Sequence, residues 1–353
     1  MAEKMSSKER VLCALNLQEP DRVPYIEATV DIVIYRKLTG KEGAGPDAGG
    51  ILKGTGQTRT VEMEKEISRL LNRDNVNFRL NAPVYAAFSR GKDDREFFGQ
   101  GGIRTWDNLE RMKLPDPYDD RLYEPAKVFV RGKEDFAACA GTRLGVGPAM
   151  LSMGMEHFWF CLHDDPGLVQ EILRRYTEWA SVVLGRFCDL GFDFLFCADD
   201  VAFKTGPMMS PLHFREIILP HLRTAVKNVT IPWVYHSDGN LLPIMEDWLS
   251  LGQSGIHPVE PMAMDIRHVK KHYGQRVCIC GNVDVNTLSM GSEQDVEAEV
   301  RSLIGDLAPG GGYMVSSGNS VPAYARPENA LAMGRAVRKY GKYPISLSQC
   351  SDA

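Results

Sequence analysis

The chain has no excess of basic residues. Its 41 Lys and Arg stand against 46 Asp and Glu, a formal net charge of −5, so it offers no general cationic surface to nucleic acid or to an anionic membrane. Long apolar runs are missing too, and residues 1–10 are polar and charged rather than a signal peptide. No membrane span is therefore expected, and the expected location is cytoplasmic. The eight cysteines, at 13, 139, 161, 188, 197, 278, 280 and 350, contain no C-x-x-C pair, which argues against a disulfide framework. Cys278 and Cys280 alternate along an expected strand and so face one side. They are read either as small core hydrophobes or as a pair of thiols for a soft metal.

What is present is enough apolar residue, 44% of 353, for one large domain or two modest ones. Ser6 or Ser7 caps a short helix with Val11, Leu12 and Leu15 on one face. Residues 29–138 are less regular, with a Gly-rich run at 39–56 and a turn-rich stretch at 89–102, and read as insertion-like. From Arg143 onward strands and helices alternate. The clearest helix is capped by Asp165, has Pro166 in its first turn and closes at Gly191. Pro220 is expected to kink or shorten the helix capped by Ser210. Strand starts at Val23, Val84, Arg143, Phe192, Trp233, Ser254, Arg276 and Tyr313 make eight, with Val76 to Leu80 competing for the second place. Eight alternating units imply a single-domain α/β (β/α)8 TIM barrel over 1–353, with an N-terminal helical extension and an insertion. A doubly wound sheet is the alternative.

In such a barrel, chemistry sits at the carboxyl ends of the strands. The stretch from Ile231 to Asn240 illustrates this, since a short apolar run ends in His236, Ser237, Asp238, Gly239 and Asn240. The other strand ends supply Glu27, Glu156, Asp199, Asp200, Glu260, Asn282, Asp284 and Asn319, with Lys204 as a nearby basic partner. Several carboxylates in one place require a bound cation, a shared proton or a basic partner. At each position taken alone, a cap or turn hydrogen bond is the competing reading. His257 reads as a structural histidine, and His268 and His272 as a solvated face of an outer helix.

Six stretches together resemble the uroporphyrinogen decarboxylase superfamily: Glu9 to Pro24, Ala198 to Val201, Met209 to Pro220, His236 to Asn240, Cys280 to Asp284 and Pro327 to Asn329. They are most similar to its corrinoid-dependent methyltransferase branch. The resemblance implies a (β/α)8 barrel with the site at its mouth. Decarboxylases of the family carry an arginine-rich Met-Arg-Gln-Ala-Gly-Arg signature after the first strand, where this chain has Tyr25 to Asp31 and no arginine. A porphyrinogen with eight carboxylates would meet Glu27 and Asp31, the wrong sign of charge. The methyltransferase branch binds zinc through His-x-Cys and a later Gly-Cys. Here His236 matches, while Asp238 and Asn319 stand where the cysteines would be.

The resemblance thus implies a methyltransferase that moves a methyl group between a small substrate, such as a methoxylated compound undergoing O-demethylation, and the cobalt of a separate corrinoid (cobalamin) protein. His236, Asp238, Asp199 and Glu260 are the candidate catalytic residues. Glu27, Glu156, Asp200, Lys204, Asn240, Asn282, Asp284 and Asn319 are the candidate substrate contacts. Zinc, if bound, would be held by His236, Asp238 and Glu260, a harder set than one with thiolates. Two alternatives stay open: a decarboxylase for a smaller carboxylate, and a barrel that binds a tetrapyrrole or small ligand without turnover.

Overall fold

The computed structural model describes residues 5–42, 59–90 and 96–345. Most of the Gly-rich run, part of the turn-rich stretch and Cys350 lie outside them. Seven strands form one parallel sheet in the order Asn75–Arg79, Ala137–Gly141, Phe194–Ala198, Trp233–His236, Gly255–His257, Cys278–Cys280 and Tyr313–Met314. Residues 23–28 are the eighth stave. Tyr25 bridges Val315 in parallel, and the Asp74 amide donates to the Tyr25 carbonyl at 2.7 Å, so the sheet closes on itself. The barrel expected from the sequence is the observed fold.

Closure divides the apolar residues into two cores. Ile26, Cys139, Phe194, Phe196, Val234, Cys278, Cys280 and Met314 pack inside the barrel with Val11, Ala14 and Leu15 of the first helix, Ser7–Leu15, which plugs it. That helix carries a capping box between Ser6 and Glu9. Cys278 and Cys280 are fully buried core sulfurs. The opposite faces of the strands pack against the surrounding helices. Among these, Pro166–Asp189 starts at the Asp165 cap as expected. Near Pro220, the helix beginning at Pro211 widens into a π turn over Phe214–Ile218 before Leu219–Val226 continues. A wider turn accommodates the proline's missing N–H and its ring.

Two expected strands lie elsewhere. The second barrel strand is Asn75–Arg79, while Ala86–Arg90 pairs with Glu96–Gly101 in a separate antiparallel hairpin. The third is Ala137–Gly141, and Val146–Met153 is already helix. Residues 29–138 are therefore more than an insertion, since they hold a barrel strand and the helix Val61–Leu71. Asn75, Asn77 and Arg79 point their polar groups across the barrel seam. Asn75 and Asn77 donate to the Glu27 carbonyl, and Arg79 to that of Ala28. Side chains thereby satisfy backbone groups that a regular ladder would otherwise satisfy.

No described helix is long and apolar enough to cross a membrane.

Candidate active site

Alternation along the strands decides which strand-end residues enter the mouth. In Trp233–His236, Val234 packs inside the barrel while Trp233 and Tyr235 pack outside, so His236 and then Asp238 face inward. In Phe194–Ala198, Phe194 and Phe196 are inside, which sends Ala198 and Asp200 inward and Asp199 outward. Ile26 and Ala28 are inside and Tyr25 outside, so Glu27 also faces away from the mouth.

The inward residues converge. His236 Nε2 lies 3.7 Å from Asp200 Oδ1 and 3.8 Å from Asp238 Oδ1, and one donor atom from each of the three lies within 4.8 Å of the others. The Asp238 amide donates to Asp200 Oδ1 at 3.0 Å, and Asn319 Nδ2 donates to Asp238 Oδ2 at 2.5 Å. Asp238 Oδ1 is buried without a hydrogen-bond partner. Burial raises the Asp238 carboxyl to about 6, against the pull of His236 and with the negative charges of Asp200 and Glu260 adding to the rise. The turn needs Gly239. At its φ of 89° an added Cβ would lie 2.6 Å from the Ala202 backbone.

On its other side, His236 Nδ1 is 2.8 Å from Nδ1 of His257, whose Nε2 is 3.0 Å from Ser316 Oγ. Burial holds the His257 ring well below its ordinary value, so it is a neutral imidazole. The two Nδ1 atoms share one hydrogen. With that hydrogen on His236, its Nε2 lone pair is free for a cation between the two carboxylates; with it on His257, Nε2 carries a hydrogen toward them. The three donors, among them the orphaned Asp238 Oδ1, fit a divalent cation such as zinc in an N/O set.

Glu260 stands one step back. Its Oε2 accepts from the Gly239 amide at 2.9 Å and its Oε1 lies 3.5 Å from Lys204 Nζ. It borders a cavity of about 320 Å³ together with Lys204, Asp284, Asn319, Ser320 and Tyr324. Among the described residues the group whose geometry could hold an ion is Asp200, His236 and Asp238, while Glu260 of the expected set braces the turn through Gly239.

Other expected site residues have structural duties. Glu27 is fully buried and takes both the amide (2.9 Å) and the hydroxyl (2.6 Å) of Ser317, latching the barrel closure. Burial pushes it up to about 7. Asp199 accepts the Gly145 and Val146 amides at 2.7 and 2.8 Å, capping Val146–Met153 in place of a local cap, and burial raises it to about 6. Asp284 caps Val285–Met290, and Asn240 holds the Leu242 amide. Asn282 donates to the Val259 carbonyl at 2.6 Å. Glu156 is exposed on the helix Met155–Asp164. His268 and His272 stack with ring centroids 4.0 Å apart on the outer helix Ile266–Tyr273. Sequence reasoning did not single out His257 as a partner of His236, nor Arg79 and Arg143, which occupy inward positions at or just beyond two strand ends. Strand parity is the signal that would have found them.

Residues 100–340 match the family described as Uroporphyrinogen decarboxylase (URO-D). Curated relatives include the uroporphyrinogen decarboxylase of Shewanella loihica, 21% identical over 67% of this chain and 69% of that one. The enzyme of Pseudoalteromonas atlantica is 24% identical, with the same shares covered. A solved methyltransferase from Methanosarcina mazei superposes with a TM-score of 0.74 at 21% identity, covering 96% of this chain and 99% of its own. A B12-independent methionine synthase from Shewanella sp. W3-18-1 reaches 0.50 at 12% identity, covering 79% and 86%. At these identities the structural likenesses speak for the fold, whereas the family match spans well over half of the chain. The chain belongs to the uroporphyrinogen decarboxylase (URO-D) family.

Proposed function

We propose that the protein is a methyltransferase moving a methyl group between a small methoxylated substrate and the cobalt of a separate corrinoid protein. The observation that carries the reading is the convergence of His236, Asp200 and Asp238 at the carboxyl ends of the strands, with His236 Nε2 facing both carboxylates. These residues would hold a divalent cation, which supplies Lewis acidity to a substrate oxygen. His257 orients His236. Glu260 keeps Gly239, and hence Asp238, in place, while Lys204 and Asn319 line the adjoining cavity where the substrate would lie.

In the demethylating direction the methyl–oxygen bond would break, the partner's corrinoid would accept the methyl group with its own electron pair, and the leaving alkoxide would take up a proton. The mouth would then have to admit the tetrapyrrole. Exposed apolar side chains suit that contact: Phe203, Met262 and Tyr324 are 52%, 87% and 60% exposed, and the last two border the cavity. The fold shared with a methyltransferase supports the reading.

The decarboxylase alternative, acting on a carboxylate smaller than a porphyrinogen, draws its support from the curated relatives. Anaerobic incubation of methoxylated compounds with and without an added corrinoid separates the two. Methyl transfer requires corrinoid for any product, while product formed after rigorous removal of corrinoid contradicts it.

A further inference from the structure

Two arginines sit at or just beyond the ends of the two barrel strands that precede those carrying the His236 cluster. Arg79 ends the second barrel strand and is in register with Gly141 at the end of the third. Arg143, two residues beyond Gly141, bridges Ala198 at the end of the fourth. Inward-facing Cys139 precedes Gly141 and Arg143 by two and four positions, so Arg143 leaves the barrel wall on the inner side, as Arg79 does. Both are partly exposed.

Each makes a structural contact from its inward position. Arg79 Nη2 donates to the Ala28 carbonyl at 2.9 Å, and its Cζ sits 5.8 Å from the Phe196 ring centroid. Gly141 makes room for it, since an added Cβ there would lie 2.9 Å from Arg79 Nη1. Arg143 Nε approaches Asp199 Oδ1 at 3.4 Å, a loose contact rather than a bidentate pair, because the other Asp199 oxygen is taken by two backbone amides. Arg143 Nη1 is buried and has no hydrogen-bond partner among the described residues. A buried donor left unmade is costly. The two cations also sense each other. Burial holds the Arg79 guanidinium below its ordinary value, and the positive charge of Arg143 acts in the same direction.

We infer that Arg79 and Arg143 form a carboxylate-binding subsite on the wall of the mouth, so that the small substrate carries a carboxylate at one end and its reacting group at the other. The inference rests on the methyl-transfer reading only for what that reacting group is. Guanidinium forks match the planar carboxylate. A monoanion suits a mouth whose Asp200, Asp238 and Glu260 would repel a phosphate dianion more strongly. Phe196 neighbours both halves, its centroid 5.8 Å from Arg79 Cζ and 6.3 Å from the His236 ring.

The test is calorimetric titration of the full chain with methoxyacetate, 2-methoxybenzoate and acetate, and with the neutral analogue 2-methoxyethanol, in the absence of corrinoid. Saturable binding of a carboxylate, none of the neutral ether, and a loss of about 10–100-fold in Arg143→Met are expected, the range for hydrogen bonds to a charged group. Arg143→Lys, which keeps the charge without the fork, should fall between. Circular dichroism confirms that each variant is folded, and the wild-type ligand series decides the question if none is. Equal binding of ether and acid, no saturable binding of any of the three acids, or undiminished binding in folded Arg143→Met overturns the subsite. Carboxylate binding without cobalt methylation would remove the methyl-transfer reading and leave this subsite standing. Turnover of a neutral ether with carboxylates unbound would do the reverse.

Discussion

His236 Nδ1 and His257 Nδ1 are 2.8 Å apart, joined by one shared hydrogen. This pairing orients the His236 ring and places His257 among the groups that set cation affinity. His257→Phe, which keeps a ring but removes the hydrogen-bond partner, should weaken zinc binding by about 10–100-fold, and His236→Ala should abolish it. Competition against a chromogenic chelator measures both. Zinc held equally well by His236→Ala would mean that other residues are the ligands.

The family's thiolates can be restored. Asp238 and Asn319 are already in contact at 2.5 Å, so Asp238→Cys with Asn319→Cys puts two thiolates beside His236. The double variant should bind zinc at least about tenfold more tightly, about 1.4 kcal/mol. Its cobalt-loaded form should show thiolate charge-transfer absorption that the wild type lacks. A cobalt spectrum unchanged from wild type would place the cation elsewhere.

Glu27 gives a pH signature away from the site. Its folded value of about 7 lies above the ordinary 4.5, so the fold binds its proton more tightly than the unfolded chain does. That contribution is complete below pH 4.5 and is lost as pH rises through about 7, a change on the order of 3 kcal/mol. Glu27→Gln should flatten the decline in stability over this window, as read from urea midpoints at several pH values. A parallel decline in the variant would assign the pH dependence to other groups.

Asp74 is fully buried and accepts from Arg10, Arg22 and the Tyr25 amide, tying the helix plug to the barrel seam. Asp74→Asn removes the carboxylate that Arg22 shares with Arg10, which keeps Asp21 at 2.7 Å, and should cost roughly 3 kcal/mol, measured by denaturant unfolding. A change below about 1 kcal/mol would show that the network carries little of the seam's stability.

The eight-strand count was legible from the sequence because helices with clear caps, such as Asp165-Pro166, separate short apolar runs. Two strands were misplaced for physical reasons. Asn75–Arg79 hides its strand pattern behind inward Asn75, Asn77 and Arg79, polar groups spent on the barrel seam. Ala137–Gly141 is built of small residues, while the segment after it looked more apolar and is helical. Strand-end placement brought His236, Asp238 and Asp200 to notice but could not separate Asp199 from Asp200. Only the inward packing of Phe194 and Phe196 shows which of the two faces the mouth. The His236–His257 pairing joins two strands and has no local sequence signature.

The most direct test of methyl transfer follows the methyl carbon itself. The full chain, loaded with zinc, is incubated anaerobically with methoxyacetate labelled with ¹³C in its methyl group and with cob(I)alamin, and carbon NMR reads where the label goes. The account predicts a cobalt-bound methyl resonance that grows with wild type and is absent with His236→Ala. A label that stays on the ether oxygen while the carboxyl carbon is released as carbon dioxide would contradict it and make the protein a decarboxylase.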